Sequence, residues 1–197
     1  MQGTIPAHSD LVGLRGRVEI LVFQGDQLID QQELRNIILT QGHREVLKAI
    51  TSALPLSPRI INRMSVGDQG TIPADSTVAK VPTKDMTGLY HEVFRKDCEN
   101  RVVVMDSTKN ECMFIATFAA SEIPLTAYSN PSQPRVNEVG LVLIDPSSTS
   151  GLDRDSVASP DLPEEDEVLF SIRCFKSIPF EAENDVSITI RYTIYME

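Results

Sequence analysis

The chain has 197 residues, a net charge of −10 and a pI near 4.8, so its overall field repels phosphate backbones and nucleic acid is not expected as a partner. Hydrophobic residues make up 41% with no Trp, and the apolar runs are strand length, too short to span a bilayer. Three cysteines, Cys98, Cys112 and Cys174, are odd in number and lack the close pairing of zinc or redox motifs; reduced, mostly core-packing thiols are the expected state.

Taken in chain order, residues 1–15 read as an extended arm, because Pro6 and two glycines interrupt any regular pattern. The start lacks a basic segment followed by an apolar one, so no secretory signal is expected. Arg17 to Phe23 alternates as a strand, and Gln24-Gly-Asp-Gln27 is a hairpin-like turn. Asp30 is an N-cap candidate with Glu33 three residues on, which predicts a helical excursion near residues 30–54 in two pieces that meet near Gln41-Gly42. Val46, Leu47, Ile50 and Leu54 form one apolar stripe expected to pack on a sheet, and Pro55 and Pro58 end the helix.

Beyond Arg59 the pattern is of strands separated by turn chemistry. They are expected at Arg59–Val66, Leu89–Arg95, Arg101–Asp106, Cys112–Ala120, Glu138–Ile144, Glu167–Ser177 and Asp185–Tyr195. Helices do not recur between strands, as a parallel sheet would require. The fold class is therefore mainly β, an antiparallel β-sandwich of jelly-roll-like type. Residues 16–197 are read as one domain with a projecting loop at 145–166.

No catalytic motif is present: no GxSxG, Walker loop, HExxH or GxGxxG after a strand. His8, His43 and His91 lack a metal-ligand spacing, and structural roles are expected for all three. The acidic run from Asp153 to Glu167 matches no EF-hand loop and reads as a solvated face. Gly67-Asp-Gln-Gly-Thr71 lacks the Lys and following helix of a phosphate cradle, so its glycines read as a tight reversal. Neither an enzyme nor a cofactor, metal or small-molecule substrate is expected. Tyr128 is the one residue to consider for stacking a sugar, with a loop anchor favoured.

The order of Gly16-Arg-Val-Glu-Ile20, a helix close to Arg35-Asn36-Ile37, Ile60 to Thr71 with its Val-Gly-Asp-x-Gly-Thr ending, Thr87 to Arg95, Val136-Asn-Glu-Val-Gly-Leu-Val142, Leu169 to Phe175 with Ile178-Pro-Phe180, and Val186 to Ile194 resembles the β-sandwich domain of tailed-bacteriophage virion proteins. Such domains occur in tail fibre, collar and baseplate-associated components. The resemblance implies a non-enzymatic structural protein of the tail, collar or neck, an oligomeric docking or adaptor piece that attaches fibres or joins neighbouring virion proteins. Its implied location is the virion, assembled in the host cytoplasm, and its implied partners are other copies of itself and neighbouring phage proteins, not a membrane. It implies turn or packing roles for Gly67, Gly70, Glu138 and Gly140. Arg95 and Arg173 are expected to bridge strands or subunits, and Ile5, Pro6, Glu164 and Glu165 to join them in intersubunit contacts. A capsid decoration protein and a receptor- or carbohydrate-binding module are the alternatives.

Overall fold

A computed structural model describes residues 13–51, 59–105, 110–145 and 167–196. Two five-stranded antiparallel sheets face one another as a β-sandwich. The first sheet contains β1 (Leu14–Gln24), β2 (Gln27–Arg35), β8 (Asn100–Met105), β9 (Asn110–Ala119) and β12 (Val186–Met196), in the order β2-β1-β12-β9-β8. The second contains β3 (Ile37–Ile38), β4 (Ile60–Gly67), β7 (Glu92–Asp97), β10 (Arg135–Ile144) and β11 (Glu167–Pro179), in the order β3-β11-β10-β4-β7. A small hairpin, β5 (Thr71–Ile72) with β6 (Asp75–Ala79), one α-helix, α1 (Thr40–Thr51), and three short 3-10 turns, Ala120–Glu122, Leu125–Ala127 and Ala182–Asn184, complete the described elements.

Alternation decides the core. Val18, Ile20 and Val22 of β1, Phe114, Ala116 and Phe118 of β9, and Ile188, Ile190 and Tyr192 of β12 point inward from the first sheet. Met64 and Val66 of β4, Val139 and Leu141 of β10, and Phe170 and Phe175 of β11 meet them from the second. Each fully buried aliphatic or aromatic side chain contributes about 1.5 to 3 kcal/mol of transfer free energy, which makes this layer the main source of stability. Phe94 and Phe118 meet edge to face across it, with centroids 6.3 Å apart.

The second sheet is covered on its outer face as well. Leu39, Val142, Ile144, Leu169 and Ile172 form a separate apolar cluster there, joined by Ile37, Met86 and Leu89. That is why β10 is buried along almost its whole length while β2, on the other sheet's edge, is mostly exposed.

The helical expectation fails over its first half. Asp30–Arg35 lies in β2 and Ile37 in β3, with no helix at Arg35-Asn36-Ile37, because Gly25, at φ 55°, makes a two-residue turn that pairs Gln24 with Gln27 and folds the chain straight back along β1. Asp30 and Glu33 imitate a helix cap only because an edge strand can be polar on both faces. The helix itself begins at Thr40, whose Oγ1 donates to Asp85 at 3.1 Å.

The packing expected of that helix also fails. Gly42 presses so closely on the Phe170 carbonyl that a Cβ would lie 2.5 Å from it, and Gln41 Nε2 donates to the Leu169 carbonyl at 2.7 Å. Only this first turn is seated. The outer face is already filled by the Leu39 cluster, so Val46, Leu47 and Ile50 are 36%, 59% and 75% exposed. Leu54 and both prolines lie outside the described residues, as do residues 1–12 of the arm and residues 146–166 of the projecting loop. Leu14 and Arg15, read as arm, are the first two residues of β1, paired with Met196 and Tyr195.

Candidate functional site

The densest polar constellation sits where β10 carries a bulge. Register slips between Val136 and Glu138, so Asn137 is the extra residue, and both Asn137 and Glu138 turn to the outer side while Val136 and Val139 remain in the core. Both polar residues are fully buried.

Each is consumed by backbone. Glu138 Oε1 accepts from the Gln69 and His91 amides at 3.1 and 2.9 Å, and Oε2 accepts from the Tyr90 amide at 2.8 Å. Asn137 Oδ1 accepts from the Gly70 amide at 2.6 Å, while its Nδ2 donates to the Asp68 carbonyl and lies within bonding distance of Thr71 and Ser177. Two adjacent side chains thus hold the segment after β4 and the segment before β7 against β10. Burial raises the pKa of Glu138, and the three amides pull it back.

Asp68 extends this cluster. Its Oδ1 lies 2.6 Å from His91 Nδ1, and its Oδ2 accepts from the backbone amide and the hydroxyl of Ser129 at 2.7 and 2.6 Å. The serine hydroxyl is directed at the carboxylate, not at the imidazole, so the three residues do not form a nucleophile, base and orienting acid. Among the described residues no group of three or more His, Cys, Asp or Glu side chains could hold a metal ion.

Gly67, Gly70 and Gly140 surround the bulge, and none has a positive φ. A Cβ on Gly67 would lie 2.3 Å from the His91 carbonyl, one on Gly70 2.4 Å from the Asn137 carbonyl, and one on Gly140 2.5 Å from Leu169. The reversal expected after Val66 is therefore not what these glycines provide: β4 runs on through Gly67, and they allow close approach of chain segments.

A second polar network holds the other end of the same sheet. Arg63, with only 2% of its side chain exposed, donates to Asp97 at 3.0 Å and to Glu167 at 2.6 Å. Glu167 also receives Arg95, which grips Glu92 through a second pair of bonds. Arg95 thus ties β7 to the start of β11 within one chain, which accounts for its strand-bridging role without a second subunit. Burial raises the pKa of Glu92 and the neighbouring Arg95 opposes that rise.

Arg173 is elsewhere, half-buried opposite Val139 on β11. The structure does not bring it to Arg95's network. Ile5, Pro6, Glu164 and Glu165 lie outside the described residues. Tyr128 is 4% exposed, so its ring is a loop anchor and cannot stack on a sugar. A groove of about 590 Å³ between the β1–β2 hairpin and β11 has aliphatic walls at Val22, Ile29, Ile178 and Val186.

The thiols are shielded. Burial pushes Cys98 and Cys174 up to about 12, with Asp97 and Glu138 respectively adding to the rise, and burial raises Cys112 as well. A thiol near 12 is protonated, and hence a poor nucleophile, throughout the physiological range. The linkage has a definite sign. Because the folded state of Cys174 holds its proton more tightly than the unfolded thiol near 8.5, its contribution is present below that pH and is lost as pH rises toward 12. Denaturant unfolding should therefore show the wild type losing more stability between pH 8 and pH 10 than Cys174→Ala does, by on the order of 1 to 2 kcal/mol.

Compared with protein-family models and with curated proteins, the chain matches none.

Proposed function

We propose that this chain is a non-enzymatic structural component of a tailed-phage particle, an oligomeric docking or adaptor piece of the tail, collar or neck that joins fibres or neighbouring virion proteins. One observation carries the protein-contact part of this reading. The carboxylates of the two polar networks are spent on backbone amides, arginines, His91 and Ser129 of the same chain, whereas large apolar side chains stand in the open on α1 and β8. Val46, Leu47 and Ile50 on the helix and Val102, Val103 and Met105 on the strand are the exposed groups. Grouped apolar exposure of this kind marks surfaces that meet other proteins. The choice of a phage particle rests on the resemblance of the strand sequence, and the virion is the proposed location.

The experiment is the mass of the chain in solution by light scattering over a range of concentrations, with residues 1–12 present or deleted. The expected result is a discrete oligomer that weakens when the arm is removed. A stable monomer in both forms would overturn the oligomeric reading and favour a decoration protein.

A further inference from the structure

The two sheets expose four edges, and three of them are guarded. β2 carries Asp30, Glu33 and Arg35 and is bulged between its pairings with Val22 and Phe23. β3 is two residues long, and β7 carries Glu92, Arg95, Lys96 and Asp97. Charges, bulges and brevity are the devices by which natural sheets prevent edge-to-edge pairing.

β8 has the fewest of them: a single charge, Arg101, near one end, and no register shift against β9. It reads Asn-Arg-Val-Val-Val-Met, pairs among the described residues with β9 alone, and exposes apolar groups on both faces. Val103 is paired with Cys112, on the core side of β9, and is 58% exposed. Val102 is paired with Met113, on the outer side, and is 42% exposed; Met105 is 80% exposed. The hairpin therefore carries its edge strand beyond the shelter of the opposite sheet.

We infer that β8 is the surface through which two copies of this chain pair, edge to edge and antiparallel, about a two-fold axis at Val103. This inference gives a surface to the oligomeric reading above and rests on it. The occupant follows from charge and register. In a chain of net charge −10, residues 100–105 contain no acidic group, so this is a place where two copies meet without opposing carboxylates. A two-fold axis normal to the sheet keeps each side chain on its own face and requires residues of equal parity to pair. Centred on Val103, it sets Val103 against Val103, Val102 against Val104, and Arg101 against Met105. Valines meet valines on both faces, the arginines are placed at opposite ends, and the arginine stem covers the methionine. Main-chain hydrogen bonds of the free edge are satisfied at the same time, and the two five-stranded sheets become one continuous sheet. Six residues bury less than the roughly 800 Å² per partner of a stable interface, so this contact works alongside others in the oligomer.

The test uses Val102→Cys and Val104→Cys, each in the otherwise native chain. Neither position is paired with a native cysteine, since Val102 faces Met113 and Val104 faces Glu111. Directly opposed antiparallel positions have Cβ atoms about 4.5 to 5.5 Å apart, which a small local shift brings within the reach of a disulfide. The two variants mixed under mild oxidation should give a covalent dimer at least tenfold above that of either alone, and Val103→Lys, placing like charges on the axis, should abolish it. Retained oligomer mass by light scattering with no mixed disulfide would overturn the β8 contact and leave the oligomeric reading standing. Monomers at every concentration would overturn both. Self-linking of Val102→Cys alone would overturn the register.

Discussion

Replacing Arg63 by alanine should cost about 3 to 5 kcal/mol, the range found when one partner of a buried ion pair is removed. The cost comes from what remains. Glu167 is 6% exposed in its side chain and would be left beside Glu92 with one cation fewer, while Asp97, 44% exposed, can turn to water. The loss would fall on the junction of β4, β7 and β11, which Arg63 and Arg95 pin together through one carboxylate. Denaturant unfolding measures it, and a cycle with Glu167→Gln separates pairing from packing. Removing the stranded charge should recover part of the loss, so the double variant should be more stable than the sum of the single effects implies. A single-variant loss below about 1 kcal/mol would mean that the network behaves like a solvated surface pair.

Glu138→Ala should also be destabilising, for a different reason. Its carboxylate is the acceptor for three amides from two segments, and deletion leaves Gln69, Tyr90 and His91 without that acceptor beside β10. The three bonds are only part-buried, so water can take over some of these donors, and a total loss of about 1 to 3 kcal/mol is expected. Glu138→Gln should cost less, since one oxygen still serves two of the amides and only the Tyr90 donor meets an amine. Hydrogen exchange reads the effect locally: protection at residues 69, 90 and 91 should fall in the alanine variant before the core of β10 is affected. Unchanged protection at those three amides would show that other contacts hold the two segments.

The sandwich was legible where the two-residue alternation was undisturbed. The strands at Arg17–Phe23 and Glu167–Ser177 lie within observed strands, and those at Cys112–Ala120 and Asp185–Tyr195 overrun theirs by one residue each, Ala120 and Asp185, because each must bury one face. The edge strand β2 was not legible. Its side chains are mostly solvent-facing, so no periodicity is imposed, and the Asp30 and Glu33 pair was free to look like a helix start. The same lack of constraint hid β5 and β6, whose Pro73-Ala74 turn was visible only as turn chemistry.

The polar networks were half legible. Gly67, Gly70, Glu138 and Gly140 were singled out, but Asn137 was not. The available signal was two adjacent polar residues inside an apolar strand, Val136-Asn-Glu-Val139, which breaks alternation where a bulge sits. Arg63 and Glu167 lie 104 positions apart, and no local pattern announces such a pair. The exposed stripe of α1 was read as core because periodicity identifies an apolar face without telling what covers it.

The placement of β12 bears on how the molecule comes into being. The last strand of the first sheet occupies its centre, bonded on one side to β1 and on the other to β9. Until β12 has been synthesised, the strands of the β1–β2 and β8–β9 hairpins have no strand to join them into one sheet. Contacts joining Leu14 to Met196 have among the longest sequence separations a chain of this length permits, and such pairings close slowly. Until that closure, the inner valines of β1 and the phenylalanines of β9 lack their shared neighbour, a state prone to wrong association. Synthesis through residue 196 thus sets the earliest moment at which a copy can be finished, and partners encountered sooner would meet an unfilled sheet.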